Sequence, residues 1–513
     1  MGEELAIRSR AARGIAALCI ATLSSWLVAG CAVGPDFKPP AAPESKSYVP
    51  GQLQAGTAPA ATPGGAAQKF VDGLDIPGQW WTLFQSKELN ALIELALKNN
   101  PTLEAAQAAL REAKENVAAQ RGSYYPSVSA TAGAERERAS GAAFGIAGFP
   151  SSYFYTLDSA SVSVSYTLDV FGGVRRQVES LQAQAEYEQF ALEASYLSLT
   201  ANIVTAAVTE ASLRAQITAT EDIARSQQQQ LDIIKRRMTA GAASRTDLAQ
   251  QQATLSATLA TLPPLRTQLA QERNQLATYT GALPADYAGG AITLDSLTLP
   301  QDLPVSLPSK LVEQRPDVRE FTAQLHEATA QIGVATANML PQISLTGSVG
   351  EQASRFSQIF EPSSLVWSLA AQVTQPIFEG GKLLHQRRAA IAAAQQAAAN
   401  YRSTVITAFQ NVSDSLVALE GDADALAASD TAARAAAESL ALVQAQYKSG
   451  GASYVQVLSS EQTYQNAVVA LVKARAQRYA DTAALFQALG GGWWNRADID
   501  ADSNSSDCCK GQM

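Results

Sequence analysis

Residues 159–168 read Ser-Ala-Ser-Val-Ser-Val-Ser-Tyr-Thr-Leu. Val162, Val164, Tyr166 and Leu168 alternate with Ser161, Ser163, Ser165 and Thr167. Side chains along a strand point to opposite faces in turn, so this run has one apolar face and one small polar face. Three more runs repeat it. Within Pro126 to Arg138, Val128, Ala130, Ala132 and Ala134 oppose Ser127, Ser129, Thr131 and Gly133. Ile343, Leu345, Gly347 and Val349 oppose Ser344, Thr346 and Ser348. Trp367, Leu369, Ala371 and Val373 oppose Ser368, Gln372 and Thr374. This is the pattern of a transmembrane barrel strand, at about the 9–11 residues that cross a bilayer with a tilt.

A sheet resting on a soluble core alternates too. The membrane reading is favoured by a secretory signal at the front, by the small number of strands, and by the lack of a separate helical layer to cover them. A sheet in lipid must close, because no water satisfies its edges. Four strands cannot close alone, whereas three chains would supply twelve, a plausible pore. The connections Ala139 to Thr156 and Ala353 to Ser364 would face outside.

The strand pairs sit inside a repeat. Asn100-Pro101 recurs as Arg315-Pro316 and Tyr125-Pro126 as Leu340-Pro341, each 215 residues on (316 − 101 and 341 − 126). Phe171-Gly172-Gly173 answers Glu379-Gly380-Gly381. Gly241-Ala242-Ala243-Ser244 answers Gly450-Gly451-Ala452-Ser453. Landmarks in constant order and near-constant spacing mark a structural repeat. Each copy reads helix, strand, strand, very long helix, Gly turn, helix. The long stretches run from Gly173 to Met238, with no further Gly and no Pro, and from Lys382 to Lys448, with one Gly at 421. Either would be roughly 100 Å long as a single helix. Their Ala-rich faces suit close packing in a curved wall. Pro263-Pro264 is expected to break the first return helix, while Tyr454 to Leu489 is expected to be continuous.

The front of the chain sets the compartment. Arg8, Arg10 and Arg13 precede an apolar run from Gly14 to Ala29, which ends Val28-Ala29-Gly30-Cys31. This is a signal peptide, residues 1–30, and too short to span a membrane. The small-small-Cys ending makes Cys31 the candidate lipidation site, and a plain cleaved signal is the alternative. Residues 31–79 read as an anchored N-terminus and Pro/Ala/Gly-rich linker. The repeats occupy 80–290 and 291–490, and 491–513 is a polar tail in which Cys508 and Cys509 have no assignable role.

The 513 residues are 17% charged, with net charge −9, which argues against nucleic acid as a partner. The only histidines, His326 and His385, lie on separate helical stretches. No phosphate loop, metal cluster or nucleophile elbow occurs. Neither enzymatic activity nor a cofactor or metal is expected.

The motifs Gly30-Cys31-Ala32-Val33-Gly34-Pro35-Asp36-Phe37, Trp80-Trp81 with Phe84, Asp169-Val170-Phe171-Gly172-Gly173, Arg315-Pro316-Asp317-Val318 and Pro376-Ile377-Phe378, with the repeat landmarks, resemble the TolC-like outer-membrane efflux proteins. The match is to the lipoprotein branch that serves resistance–nodulation–division pumps and covers about residues 31 to 490. The resemblance implies a mixed α/β membrane protein: a homotrimer whose twelve-stranded transmembrane β-barrel continues as a long periplasmic α-helical barrel. It implies a bacterial outer-membrane location, a lipid anchor, a periplasmic adaptor, an inner-membrane pump, and passive export of small molecules such as drugs. It further implies a periplasmic aperture at Gly241, Ser244, Arg245, Thr246, Asp247, Tyr447, Gly450, Ser453, Gln456 and Ser459. Gly permits the tight reversal and the Ser hydroxyls can cap the returning helices. Gln456 and Ser459 are neutral where well-known members are acidic, and Ala452 stands where some are basic. Asp247 matches an acidic tip position, with Arg245 beside it as a substitute ion-pair partner. An outlet for protein secretion and a non-channel coiled-coil scaffold are the rival readings.

Overall fold

The computed structural model describes residues 32–45, 47–51, 53–140, 152–287, 289–290 and 292–496. Residues 1–30, read above as a signal peptide, and Cys31, Cys508 and Cys509 lie outside the described residues. In chain order the elements are β1 (Lys69–Asp72), α1 (Lys87–Asn99), α2 (Pro101–Arg121), β2 (Ser127–Ser140), β3 (Ser152–Leu168), α3 (Gly173–Thr239) and α4 (Arg245–Tyr279). There follow β4 (Asp302–Val305), α5 (Pro308–Gln314), α6 (Pro316–Ala337), β5 (Gln342–Ala353), β6 (Leu365–Thr374), α7 (Lys382–Lys448) and α8 (Tyr454–Ala488). The order α2-β2-β3-α3-α4 returns as α6-β5-β6-α7-α8. Both long helices have 67 residues and both return helices 35.

Two compact units cut across these copies. The first holds residues 1–39, 111–187 and 322–400, the second residues 40–110, 188–321 and 401–513.

The first unit contains an antiparallel sheet ordered β2-β3-β5-β6. Its register aligns the polar positions in rows across the strands: Ser129, Ser163, Ser348 and Ser368 form one such row. The next apolar row is Val128, Val164, Gly347 and Leu369, and another is Ala130, Val162, Val349 and Trp367. A slip of one residue on any strand would mix the faces. The hydroxyls bond one another, with Ser129 Oγ to Ser163 Oγ 2.9 Å, Thr131 Oγ1 to Ser161 Oγ 3.0 Å and Ser348 Oγ to Ser368 Oγ 2.8 Å. β3 is longer than its cleanly alternating stretch, because Ser152 to Asp158 also pairs with β2.

The second unit packs around aromatic side chains. Trp80, Trp81 and Phe84 are buried, and Trp80 stacks on Phe486 with centroids 5.4 Å apart. Burying each such side chain contributes about 1.5–3 kcal/mol. The Pro/Ala/Gly-rich segment is more than a tether here. Thr57 and Gln68 are buried, Arg478 Nη2 donates to Thr57 Oγ1 at 2.7 Å, and Gln68 Nε2 donates to Thr482 Oγ1 at 3.1 Å. A buried guanidinium needs oxygen partners, and these fold the segment onto α8.

α4 runs unbroken through Pro263 and Pro264, contrary to expectation. Each proline removes one backbone donor, but both face solvent, as do Leu259 and Ala260, whose carbonyls lose their partners. Buried Thr258 and Leu262 hold the other side of the helix in the core, so the freed carbonyls turn to water.

Candidate functional site

Both helix reversals in the second unit use the same backbone device. Gly241 (φ +74°) and Gly450 (φ +82°) are left-handed. Gly241 N donates to Met238 O at 3.0 Å and Ala242 N to Arg237 O at 2.8 Å. Gly450 N and Gly451 N repeat this with Tyr447 O at 3.2 Å and Gln446 O at 2.8 Å. These are paired Schellman turns, and they close the carbonyls that a helix end leaves open. A side chain would meet nothing within 4 Å at either Gly, so the glycines serve conformation alone.

Three residues on, each return helix begins with a capping box. Asp247 N donates to Ser244 Oγ and Ser244 N to Asp247 Oδ2, both at 3.0 Å. Gln456 N donates to Ser453 Oγ at 3.4 Å, and Ser453 N to Gln456 Oε1 at 2.7 Å. The capping serines match the sequence reading; the reciprocal role of Asp247 and Gln456 was missed, although Ser-x-x-Asp and Ser-x-x-Gln announce it. No ion pair joins Arg245 to Asp247 among the described residues, and Arg245, Thr246 and Ser459 are exposed.

Behind the caps lies a stack linking the two reversals. Arg237 lies over the Tyr447 ring, 5.0 Å from its centroid, and Tyr447 lies 5.4 Å from the buried ring of Tyr454. The Tyr454 hydroxyl donates to Gln251 Oε1, and Gln251 Nε2 donates to Gln227 O at 2.8 Å. Burial raises the Tyr454 hydroxyl pKa, with nearby Glu461 adding to it, so Tyr454 stays a donor. Glu461 is itself 4% exposed, and burial raises its carboxyl pKa against amides of Gln230 and Gln444. A charge inside a helical stripe was the available signal for Glu461. Of the expected aperture residues, only Tyr447 enters this stack.

In the first unit the segment after Cys31 is clamped. Buried Arg176 donates through Nη2 to Asp36 Oδ1 at 2.6 Å, through Nη1 to Glu179 Oε2 at 2.7 Å and through Nε to Val33 O at 3.1 Å. Phe37 stacks on His326, centroids 4.4 Å apart, and His326 Nε2 lies 3.0 Å from Glu179 Oε1. His326 is therefore half-buried in a contact rather than on a plain helix surface. Asp169 caps α3, accepting from Val174 N and Arg175 N at 2.9 Å each. Gly34 (φ +96°) packs on Gly333, and a Cβ there would sit 2.5 Å from Gly333 Cα.

The polar face of the sheet is mainly Ser and Thr in its middle. Toward the β2–β3 connection it also carries Glu135 and Glu137, which the sequence reading left out. The Tyr155 hydroxyl donates to Glu137 Oε2 at 2.5 Å.

A sheet sorted into lipid-like and water-like faces, together with long helices and paired Gly reversals, is the part list of a membrane channel. The profile of the outer membrane efflux protein family matches residues 92–282 and again 307–491. The chain is 30% identical over 490 residues to outer membrane protein OprJ of Pseudomonas aeruginosa, covering 94% of this chain and 96% of OprJ. It is 29% identical over 479 residues to the probable efflux pump outer membrane protein TtgC of Pseudomonas putida, covering 92% and 95%. The Campylobacter jejuni outer membrane channel CmeC superposes with a TM-score of 0.84 at 22% identity, over 93% of this chain and 98% of CmeC. The chain belongs to the outer membrane efflux protein family. It is a bacterial outer-membrane efflux channel that extends into the periplasm, and its fold is that of the TolC-like channels.

Proposed function

We propose that the chain works as a homotrimer, the passive exit duct of a tripartite system with a periplasmic adaptor and an inner-membrane pump of the resistance–nodulation–division type. Drug-like or toxic small molecules are the proposed cargo, and no catalytic step is involved. The carrying observation is the sorted sheet. Its edge strands β2 and β6 are open within one chain, and its apolar face exposes Val128, Val349, Trp367, Leu369 and Val373. Open edges cannot persist in lipid, so neighbouring chains must pair β6 with β2. From Leu168 to Ala160 the apolar face runs about 26 Å along β3, or about 20 Å once tilted by roughly 40°, near the ~25 Å apolar band of outer-membrane barrels.

We further propose acylation of Cys31 and two functional repeats spanning 80–290 and 291–490. The clamp on Val33, Asp36 and Phe37 supports the anchor, because it orders the chain immediately after that position. The Gly241 and Gly450 reversals, with Ser244, Arg245, Thr246, Asp247, Tyr447, Ser453, Gln456 and Ser459, form the proposed periplasmic aperture.

Deletion of the gene in its host, with complementation, tests the export role. Toxic small molecules should accumulate and inhibit growth at lower concentration. Unchanged sensitivity together with loss of a secreted protein would move the reading to protein secretion. Mass spectrometry of the mature protein should find lipid on Cys31.

A further inference from the structure

The apolar face of the sheet changes character at one end. On β2, Ala132 and Ala134 are followed on the same face by Arg136 and Arg138. The register sets Arg136 opposite Thr156 and Arg138 opposite Phe154. Both arginines are exposed. Arg138 lies 5.8 Å from the Phe154 ring centroid, and its Nη2 donates to Ser152 Oγ at 3.2 Å. Arg136 has no ion pair or side-chain hydrogen bond among the described residues. Two carboxylates share this face. Asp158 lies opposite Ala134, and Glu351 opposite Ala160, one and two rows nearer the apolar band. Neither forms an ion pair with the arginines among the described residues. At its other end the same face closes on Leu168, Ile343 and Val373, with no charge.

The charged end is the one carrying the β2–β3 and β5–β6 connections. α2 and α3 meet the sheet at the opposite end, which is the periplasmic side of an efflux channel. The arginines therefore stand at the outer-leaflet rim, on the side that meets lipid. An unpaired guanidinium there needs an anionic partner, and its planar donors match phosphate oxygens two at a time. The outer leaflet of a bacterial outer membrane is built from phosphorylated lipopolysaccharide.

We propose that Arg136 and Arg138 form a binding site for the phosphorylated head group of outer-leaflet lipopolysaccharide, with Phe154 steadying the Arg138 guanidinium. The inference rests on the lipid-facing assignment of this face and not on the tripartite assembly.

Purified full-length protein in detergent tests it, with bisphosphorylated lipid A as the probe and native mass spectrometry and thermal unfolding as readouts. Lipid A should bind and raise the unfolding midpoint. The double variant Arg136→Ala/Arg138→Ala should bind at least about tenfold more weakly, while Arg136→Lys/Arg138→Lys should keep part of the affinity. Lipid A lacking its phosphates should bind wild type and double variant equally. Equal binding of bisphosphorylated lipid A by both proteins would overturn the proposal. So would an equal stabilisation by inorganic phosphate alone, which would mark a free-anion site. Loss of binding in Asp158→Asn/Glu351→Gln, with the arginine variants unaffected, would instead assign the contact to cation-bridged carboxylates. Should the double alanine variant fail to fold, Arg136→Gln alone gives the same comparison.

Discussion

The Tyr454 hydroxyl donates its hydrogen bond to Gln251 Oε1, joining the return helix of one repeat to that of the other. Two residues 203 positions apart thus pin the two reversals together at a buried point. Tyr454→Phe keeps the ring packing and removes the donor. The abandoned, buried Gln251 acceptor should cost about 1–3 kcal/mol. We expect faster hydrogen exchange in the first turns of α4 and α8 and a higher single-channel conductance in planar bilayers. Unchanged exchange at both turns would show that Tyr454 does not hold the tips.

Val164 and Ser163, neighbours on β3, point to opposite faces, and the register gives each its own row. Val164 lies opposite Val128 and Gly347, and Ser163 opposite Ser129 and Ser348. Val164→Arg should cost about 2–4 kcal/mol near the bilayer midplane. Ser163→Arg should assemble normally and reduce conductance. Folding yield into lipid vesicles reports the first effect, and conductance the second. Equal loss of yield in both variants would refute the assignment of faces.

Charge selectivity should follow carboxylates at two levels. Asp247→Asn removes charge but leaves an oxygen to accept from Ser244 N, so the cap survives. Glu135→Gln/Glu137→Gln removes twice as many carboxylates per chain from the polar face. Rings of carboxylate favour cations, so reversal potentials in a salt gradient should shift toward neutrality in both, and further in the double variant. Gln456→Asp should raise cation preference, because Asp already serves as the capping partner in the first repeat. A shift in Asp247→Asn larger than in the Glu135/Glu137 variant would reverse this ranking.

Stability should fall as pH rises from about 4 to about 7 and level off above that. The Asp422 carboxyl is pushed up to about 7, first by burial and then by the adjacent Asp481 carboxylate, with Arg478 opposing. The unfolded value is about 3.9, so the folded pKa is the higher one. The contribution is intact below about pH 4 and is lost as pH climbs through about 7. Thermal midpoints measured from pH 5 to 8.5 should decline in the wild type, and the decline should be shallower in Asp422→Asn. Parallel curves would place the pH dependence elsewhere.

Much of the architecture was legible in the chain. Period-two alternation marked the strands, and long runs without Pro, interrupted only by Gly421 in the second, marked α3 and α7. The repeated Gly followed by Ser marked both reversals. These signals are local: handedness at Gly, side-chain alternation and helix propensity act within a few residues. Other outcomes depended on partners far along the chain. Pro263 and Pro264 stay inside a helix because Thr258 and Leu262 are buried on its other side. Thr57 and Gln68 leave a linker-like segment for the core because Arg478, more than 400 positions away, needs their oxygens. Arg136 and Glu137 alternate faces by local pleating, but only strand pairing decides what stands beside each: Thr156 opposite Arg136, and Tyr155 opposite Glu137. By itself the sequence determined which elements form and how they repeat, since those choices are made by short-range sterics and periodicity. Only the tertiary structure decided which polar groups are tied up in caps and cores and which remain free to meet water, ions or lipid, because burial and hydrogen bonding are settled between segments that the fold brings together.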